Sequence, residues 1–173
     1  TFQKTNVLKT LTVAENVLTA SFRRGTRSLL ATFFPGAAVR ASERQLRADA
    51  ADIIATVGLS ARTNTVADSL SGGELRLLEV ANALAARPRL LMLDEPAAGL
   101  NTEEAMQLAA VVKGLVGDRI EALLLVEHNM NVVMGVSDRV VVLNVGRKLA
   151  EGLPAEVRAN LQVIEAYLGK GAS

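Results

Sequence analysis

Leu90-Leu91-Met92-Leu93-Asp94-Glu95-Pro96 decides how this chain reads: four apolar residues run into two adjacent acids and a proline. A run so short and so apolar predicts a buried strand whose carboxyl end is marked by the acids. Downstream, Ala122 to Val126 repeats the pattern and ends in Glu127-His128. Val140 to Leu143 predicts a third strand, and Gly146 turns into Arg147-Lys148-Leu149 as a fourth. Helical stretches lie between them. Thr102 to Leu115 carries Glu103 and Glu104 in its first turn, where the helix dipole favours negative charge, and Asn129 to Val136 is shorter. Continuous apolar strands alternating with helices argue an α/β fold with a mostly parallel sheet covered on both faces. Ligands of such sheets sit beyond the carboxyl ends of the strands. Asp94, Glu95, Glu127 and His128 fall there.

Upstream the pattern is helical. Residues 7–20 read as a loop and a short helix, with Thr12 and Glu15 spaced as a capping box. Ser42 to Val57 predicts an amphipathic helix: Ser42 and Gln45 form a second box, Leu46, Ala50, Ile53, Ile54 and Val57 recur at helical spacing, and Gly58 ends it. A helix from Glu74 to Ala86 stops before Pro88. Between them, Leu29, Leu30, Phe33 and Phe34 run into Pro35-Gly36, either covering the domain's own helices or meeting a partner. Glu156 to Leu168 predicts a helical tail.

Of the 173 residues, 50% are hydrophobic, enough for a packed core. Nineteen Lys and Arg against eighteen Asp and Glu leave a net charge of +1, and aromatics are 3%. Neither the basic excess nor the stacking platforms of a nucleic-acid binder are present. There is no cysteine, so disulfides and thiolate metal sites are excluded. No apolar run is long enough to span a bilayer. The chain opens on Thr1, which raises the expectation that it starts inside a longer protein.

Two adjacent acids at a strand end can divide labour near a phosphate: one holds Mg²⁺ and the next, on the other side of the alternation, orients or deprotonates an attacking water. A strand running into a polar loop explains them equally well. In Leu70-Ser71-Gly72-Gly73-Glu74, glycine amides at a helix start suit an anion. A capping box explains Ser71 and Glu74 without a ligand, but not Gly72 and Gly73, which cost helix stability. His128 is the only histidine, and a lone histidine is commonly a packing residue. Its place after the second strand makes it a candidate hydrogen-bond donor to phosphate. Gln3 says nothing alone.

Together, in this order and spacing, these residues resemble the ATPase subunits of ABC transporters over nearly the whole chain. Gln3 falls at the Q-loop, Leu70 to Glu74 at the signature motif, Leu90 to Glu95 at Walker B, Ala98-Gly99-Leu100-Asn101 at the D-loop, and His128 at the switch histidine. Glu95 to Asn101, Val126-Glu127-His128-Asn129-Met130, Val133 to Arg139 and the ending Val163-Ile164-Glu165-Ala166-Tyr167-Leu168-Gly169 are similar to the branched-chain amino-acid importers in particular. The resemblance implies a partial RecA-like ABC-ATPase fold: residues 1–87 the Q-loop and helical subdomain with the signature, 88–151 the Walker B, D-loop and switch-histidine part of the core, 152–173 a helical tail.

It also implies ATP and Mg²⁺ as cofactors. Asp94 and Gln3 would serve the metal. Glu95 would be catalytic, with His128 and Gln3 beside it. Ser71, Gly72, Gly73, Glu74 and Asn101 would bind nucleotide shared with a second ATPase subunit. Transmembrane permease subunits would be the other partners, at the inner face of the plasma membrane. Three features depart from the family. Asn101 and Asn129 stand where aspartate is common. No Gly-x-x-x-x-Gly-Lys-Ser/Thr occurs, Gly169-Lys170 being the only Gly-Lys. That phosphate loop is expected upstream of Thr1, so this chain alone should bind ATP poorly and expose apolar sheet to self-association. A soluble, non-transport ABC ATPase and a non-catalytic regulatory fragment are the competing readings.

Overall fold

The computed structural model describes residues 7–22 and 37–168. Gln3 and the Leu29 to Phe34 cluster lie outside them. Helix α1 (Val13–Phe22) is capped as its sequence predicts. Thr12 Oγ1 accepts from the Glu15 amide at 3.2 Å, and Glu15 Oε2 accepts from the Thr12 amide at 2.8 Å. Helix α2 (Ala37–Thr56) starts five residues before Ser42, so Ser42 lies within the helix and does not cap it. Ala37 and Ala38 are strong helix formers and carry the helix back to the Pro35-Gly36 pair. Its apolar spacing is as expected: Ala50, Ile54 and Val57 are buried, and Gly58 closes the end at φ +79° while the Leu59 amide reaches back to Ile54 O.

Helix α3 (Gly72–Ala85) buries Leu77, Leu78, Ala81 and Leu84 against α1 and α2. Strand β1 (Leu90–Asp94) follows, then α4 (Thr102–Leu115), β2 (Ala122–Val126), α5 (Met130–Val136), β3 (Val140–Asn144) and β4 (Arg147–Gly152). Strands β1 and β2 pair in parallel with Met92 opposite Leu124 and Asp94 opposite Val126. Strands β3 and β4 form a separate antiparallel hairpin, so half of the strands do not join the parallel sheet. The hairpin turn is Val145-Gly146, both at positive φ as a two-residue turn demands. Arg139 and Lys148 converge on the exposed Glu151. Hydrogen bonds first from Lys148 and then from Arg139 hold its pKa down to about 2. The tail is not one helix. It breaks at Asn160 between α6 (Pro154–Ala159) and a last turn beginning at Leu161, because the Asn160 side chain accepts from the Gln162 amide and opens a new helical start.

The parallel pair is not covered on both faces by described residues. Leu91, Leu93, Leu123 and Leu125 pack into the main core, while Leu90, Met92, Leu124 and Val126 are exposed, Met92 at 65%. Each strand has one partner among the described residues, leaving unpaired edges beside this apolar face. The 173-residue chain on its own is therefore expected to self-associate. Light scattering should report a dimer or larger species, reduced by Met92→Lys with Leu124→Lys. A monomer at high concentration would refute this.

Candidate functional site

The loop after β1 starts from an unusual backbone. Glu95 adopts φ +46°, a left-handed conformation that costs a non-glycine residue about 1 kcal/mol or more. Its amide donates to Val126 O at 2.8 Å, so the chain leaves β1 still tied to β2. Asp94 lies on the exposed face of the strand, opposite Val126, and its carboxylate has no hydrogen bond or ion pair with another described residue. The loop after β2 brings His128 Nδ1 to 3.6 Å from Glu95 Oε1. Glu95 and His128 thus meet beyond the carboxyl ends of two adjacent parallel strands, directly after Asp94 at the end of β1, and all three residues are open to solvent.

Beneath them lies Glu127, whose side chain is 1% exposed. Its Oε1 accepts from the Ala97 amide at 2.8 Å, and its Oε2 accepts from the amides of His128 at 2.9 Å and Asn129 at 3.1 Å. Glu127 is closed to solvent, and it joins the loop that carries Glu95 to the loop that carries His128. An acid between an apolar strand and the only histidine was the available signal in the sequence.

A second group forms around the start of α3. Ser71 Oγ accepts from the Glu74 amide at 3.2 Å, and Glu74 Oε2 accepts from the Ser71 amide at 2.9 Å. That bond uses the Ser71 oxygen as acceptor and leaves its hydroxyl proton free to donate. The Glu74 carboxylate is turned back on its own cap and onto Arg62, with Arg62 Nε to Oε1 at 2.7 Å. The Ser71 amide chiefly, and then Arg62, hold its pKa below the ordinary carboxylate value against the opposing effect of burial.

Helix α4 begins beside this cap. Asn101 Oδ1 accepts from the Glu104 amide at 2.9 Å, Glu104 Oε2 accepts from the Asn101 amide, and Glu104 Oε1 accepts from the Gly73 amide at 3.3 Å. A Cβ on Gly73 would lie 3.1 Å from that carboxylate oxygen, and one on Gly72 3.6 Å from Leu100 Cδ2. Close approach of Glu104 on α4 is thus a reason for Gly73 that holds without any ligand, whereas a Cβ on Gly72 would make only an ordinary contact. The segment from Glu95 to Asn101 runs between the two groups and is folded by turn bonds, Ala98 N to Glu95 O and Leu100 N to Ala97 O. Among the described residues no three metal-ligating side chains cluster into a cage. The unengaged Asp94 suits Mg²⁺, which takes one or two carboxylates and fills its shell with water and phosphate oxygens. No helix among the described residues is long and apolar enough to cross a membrane.

Residues 1–98 match the family model of ABC transporters, and residues 147–173 that of the branched-chain amino acid ATP-binding cassette transporters. The high-affinity branched-chain amino acid transport ATP-binding protein BraF of Pseudomonas aeruginosa is 43% identical over 170 residues, covering 98% of this chain and 67% of that protein. LivG of Escherichia coli K12, with the same description, is 40% identical over 174 residues, at the same two coverages. Among solved structures, the ADP conformation of MJ1267, an ATP-binding cassette of an ABC transporter, superposes with a TM-score of 0.74 at 30% identity, over 94% of this chain and 64% of that one. The chain thus spans about two thirds of the length of the relatives it matches.

Proposed function

This chain belongs to the ATP-binding subunits of ABC transporters, in the branched-chain amino-acid branch, and from that premise we propose that it is the signature, Walker B and switch-histidine portion of an ATPase driving branched-chain amino-acid uptake. The observation that carries the reading is the approach of His128 to Glu95 beyond β1 and β2, directly after Asp94 at the end of β1.

Glu95 orients the attacking water and accepts its proton. The His128 imidazole donates a hydrogen bond to a phosphate oxygen. Asp94 is the ligand through which Mg²⁺, when bound, neutralises charge on the phosphates. The Ser71 hydroxyl and the Gly72 amide receive the γ-phosphate of a nucleotide gripped by a second ATPase subunit, and the Gly73 amide joins them by exchanging Glu104 Oε1 for a phosphate oxygen. Glu74 and Asn101 hold the two helix starts that frame that contact, and Gln3 senses the nucleotide and couples to the transmembrane permease. The assembly works at the inner face of the membrane.

The grip on the triphosphate belongs to a phosphate loop, Gly-x-x-x-x-Gly-Lys-Ser/Thr, which these 173 residues do not contain. Calorimetric titration of this chain with Mg²⁺ and ATP up to millimolar concentration should show no saturable binding and negligible hydrolysis, while the full-length subunit binds and turns over. Tight Mg²⁺-dependent binding by this chain alone, or an inert full-length subunit, would overturn the reading.

A further inference from the structure

The side chains of Glu95 and His128 are open to solvent, at 56% and 69% exposure, so packing does not hold them in place. Their positions derive from the backbone of two loops, and one carboxylate fastens those loops together. Glu127 Oε1 takes the Ala97 amide, and Oε2 takes the amides of His128 and Asn129. With the Glu95 amide on Val126 O, this forms a closed circuit from β2 to the Glu95 turn and back to His128. A buried carboxylate is costly unless its lone pairs are satisfied. Among the described residues Glu127 has three amide donors and no Lys or Arg partner, and its nearest ionisable nitrogen is His128 Nδ1 at 3.9 Å.

We propose that Glu127 is a positioning residue for ATP hydrolysis: it fixes the left-handed Glu95 turn against the His128 loop, so that the water-orienting carboxylate and the phosphate-contacting imidazole keep one relative placement. This rests on the functional reading above. The carboxylate is the group that fits. Aspartate is one methylene too short to span both loops. Glutamine has the same shape but only one accepting oxygen, and its NH₂ must then face either the Ala97 amide or the His128 and Asn129 pair.

The test uses the full-length subunit and its E127Q, E127D, E127A and E95Q variants, with kcat and KM for ATP measured beside thermal unfolding. Misplacement of reacting groups by about 1 Å lowers rates about a hundredfold. Glu127→Gln is expected to lower kcat about tenfold or more with KM for ATP changed less than about twofold, and E127D should fail to rescue E127A. Retention of kcat by E127Q within about twofold overturns the inference. So does a loss of kcat matched by an equal rise in KM, or explained by unfolding at the assay temperature. If E127A does not fold, E127Q, which keeps size and shape, decides. E95Q separates the two claims: an active E95Q sinks the functional reading, whereas a silent E95Q beside a fully active E127Q sinks this inference alone.

Discussion

Glu95→Gln in the full-length subunit is expected to lower the rate of ATP hydrolysis about 10²–10⁴-fold, the range for removing a general base, while ATP still binds. The structure makes this substitution selective. Glu95 is held by its backbone, through its amide on Val126 O and its carbonyl on the Ala98 amide, so its side chain fastens nothing beneath it. Its carboxylate is half exposed, and its one ionisable neighbour among the described residues is His128, with Nδ1 at 3.6 Å. Glutamine keeps the length and can still hydrogen-bond to water, but it cannot take a proton. The nucleotide contacts proposed for Asp94, Ser71, Gly72 and Gly73 do not pass through this side chain. Binding and chemistry should therefore separate: phosphate release falls, nucleotide binding persists, and the nucleotide-bound pair of subunits accumulates because hydrolysis no longer opens it. Steady-state phosphate release and equilibrium ATP binding, measured on one preparation, check both halves. Hydrolysis within tenfold of wild type would remove Glu95 from the role of base, and loss of binding would mean that it holds the nucleotide.

What the sequence made legible follows from how local each signal is. The cap of α1, the span of α4 and the span of β2 depend on neighbours within one turn or one strand, and those are written in contiguous residues. The start of α2 lies upstream of Ser42 because a cap signal and a propensity signal compete. Ser42 with Gln45 matches a box, yet the alanines before it extend the helix, and a side chain can serve as an N-cap only where the helix begins. The separation of β3 and β4 from the parallel pair was not legible. An apolar run such as Val140 to Leu143 looks the same whichever strand it meets, and only the tight Val145-Gly146 turn selects an antiparallel partner. The candidate site was legible in its exposed members and not in its supports. Glu127 and Glu104 act through bonds to residues about thirty positions away, on Ala97 and Gly73. No periodicity reports such a contact.

Asn16 belongs to the same class of hidden support, and Asn16→Ala should destabilise the folded subunit by about 3 kcal/mol. It is the one polar residue among the described residues that is buried as a whole, at 2% exposure, and it sits between Val13 and Val17 where the helical pattern asks for an apolar residue. Its Oδ1 takes the Leu8 amide at 2.8 Å. Its Nδ2 reaches the carbonyls of Leu8 at 3.0 Å, Leu11 at 3.3 Å and Thr12 at 3.0 Å. One amide side chain thus replaces the secondary structure that the 8–12 segment lacks. Removing it strands the part-buried Leu8 N–H, at about 1–3 kcal/mol if water cannot reach it. It also takes one of two donors from each carbonyl, Leu8 O keeping the Leu11 amide, Leu11 O the Ala67 amide and Thr12 O the Asn16 amide, and those lost bonds bring the figure to the upper end of that range. An outward swing of the loop to hydrate these groups would expose Val7 and strain the bonds that stitch the loop to residues 66–68, from the Ala67 amide to Leu11 O and from the Asp68 amide to Lys9 O. Asn16→Asp keeps the acceptor for Leu8 but sets a negative charge against three carbonyl oxygens, so it should be no better than alanine. Set against a total stability of about 5–15 kcal/mol, either change is large. Urea unfolding of the full-length subunit, read as a lower midpoint at constant slope, measures it. A loss under about 0.5 kcal/mol would mean that backbone pairing with residues 66–68 alone holds the segment. Gln3 lies just upstream of this loop. If the proposed coupling to the permease runs through Gln3, Asn16→Ala should weaken the stimulation of ATP hydrolysis by the membrane partner more than it weakens hydrolysis by the subunit alone.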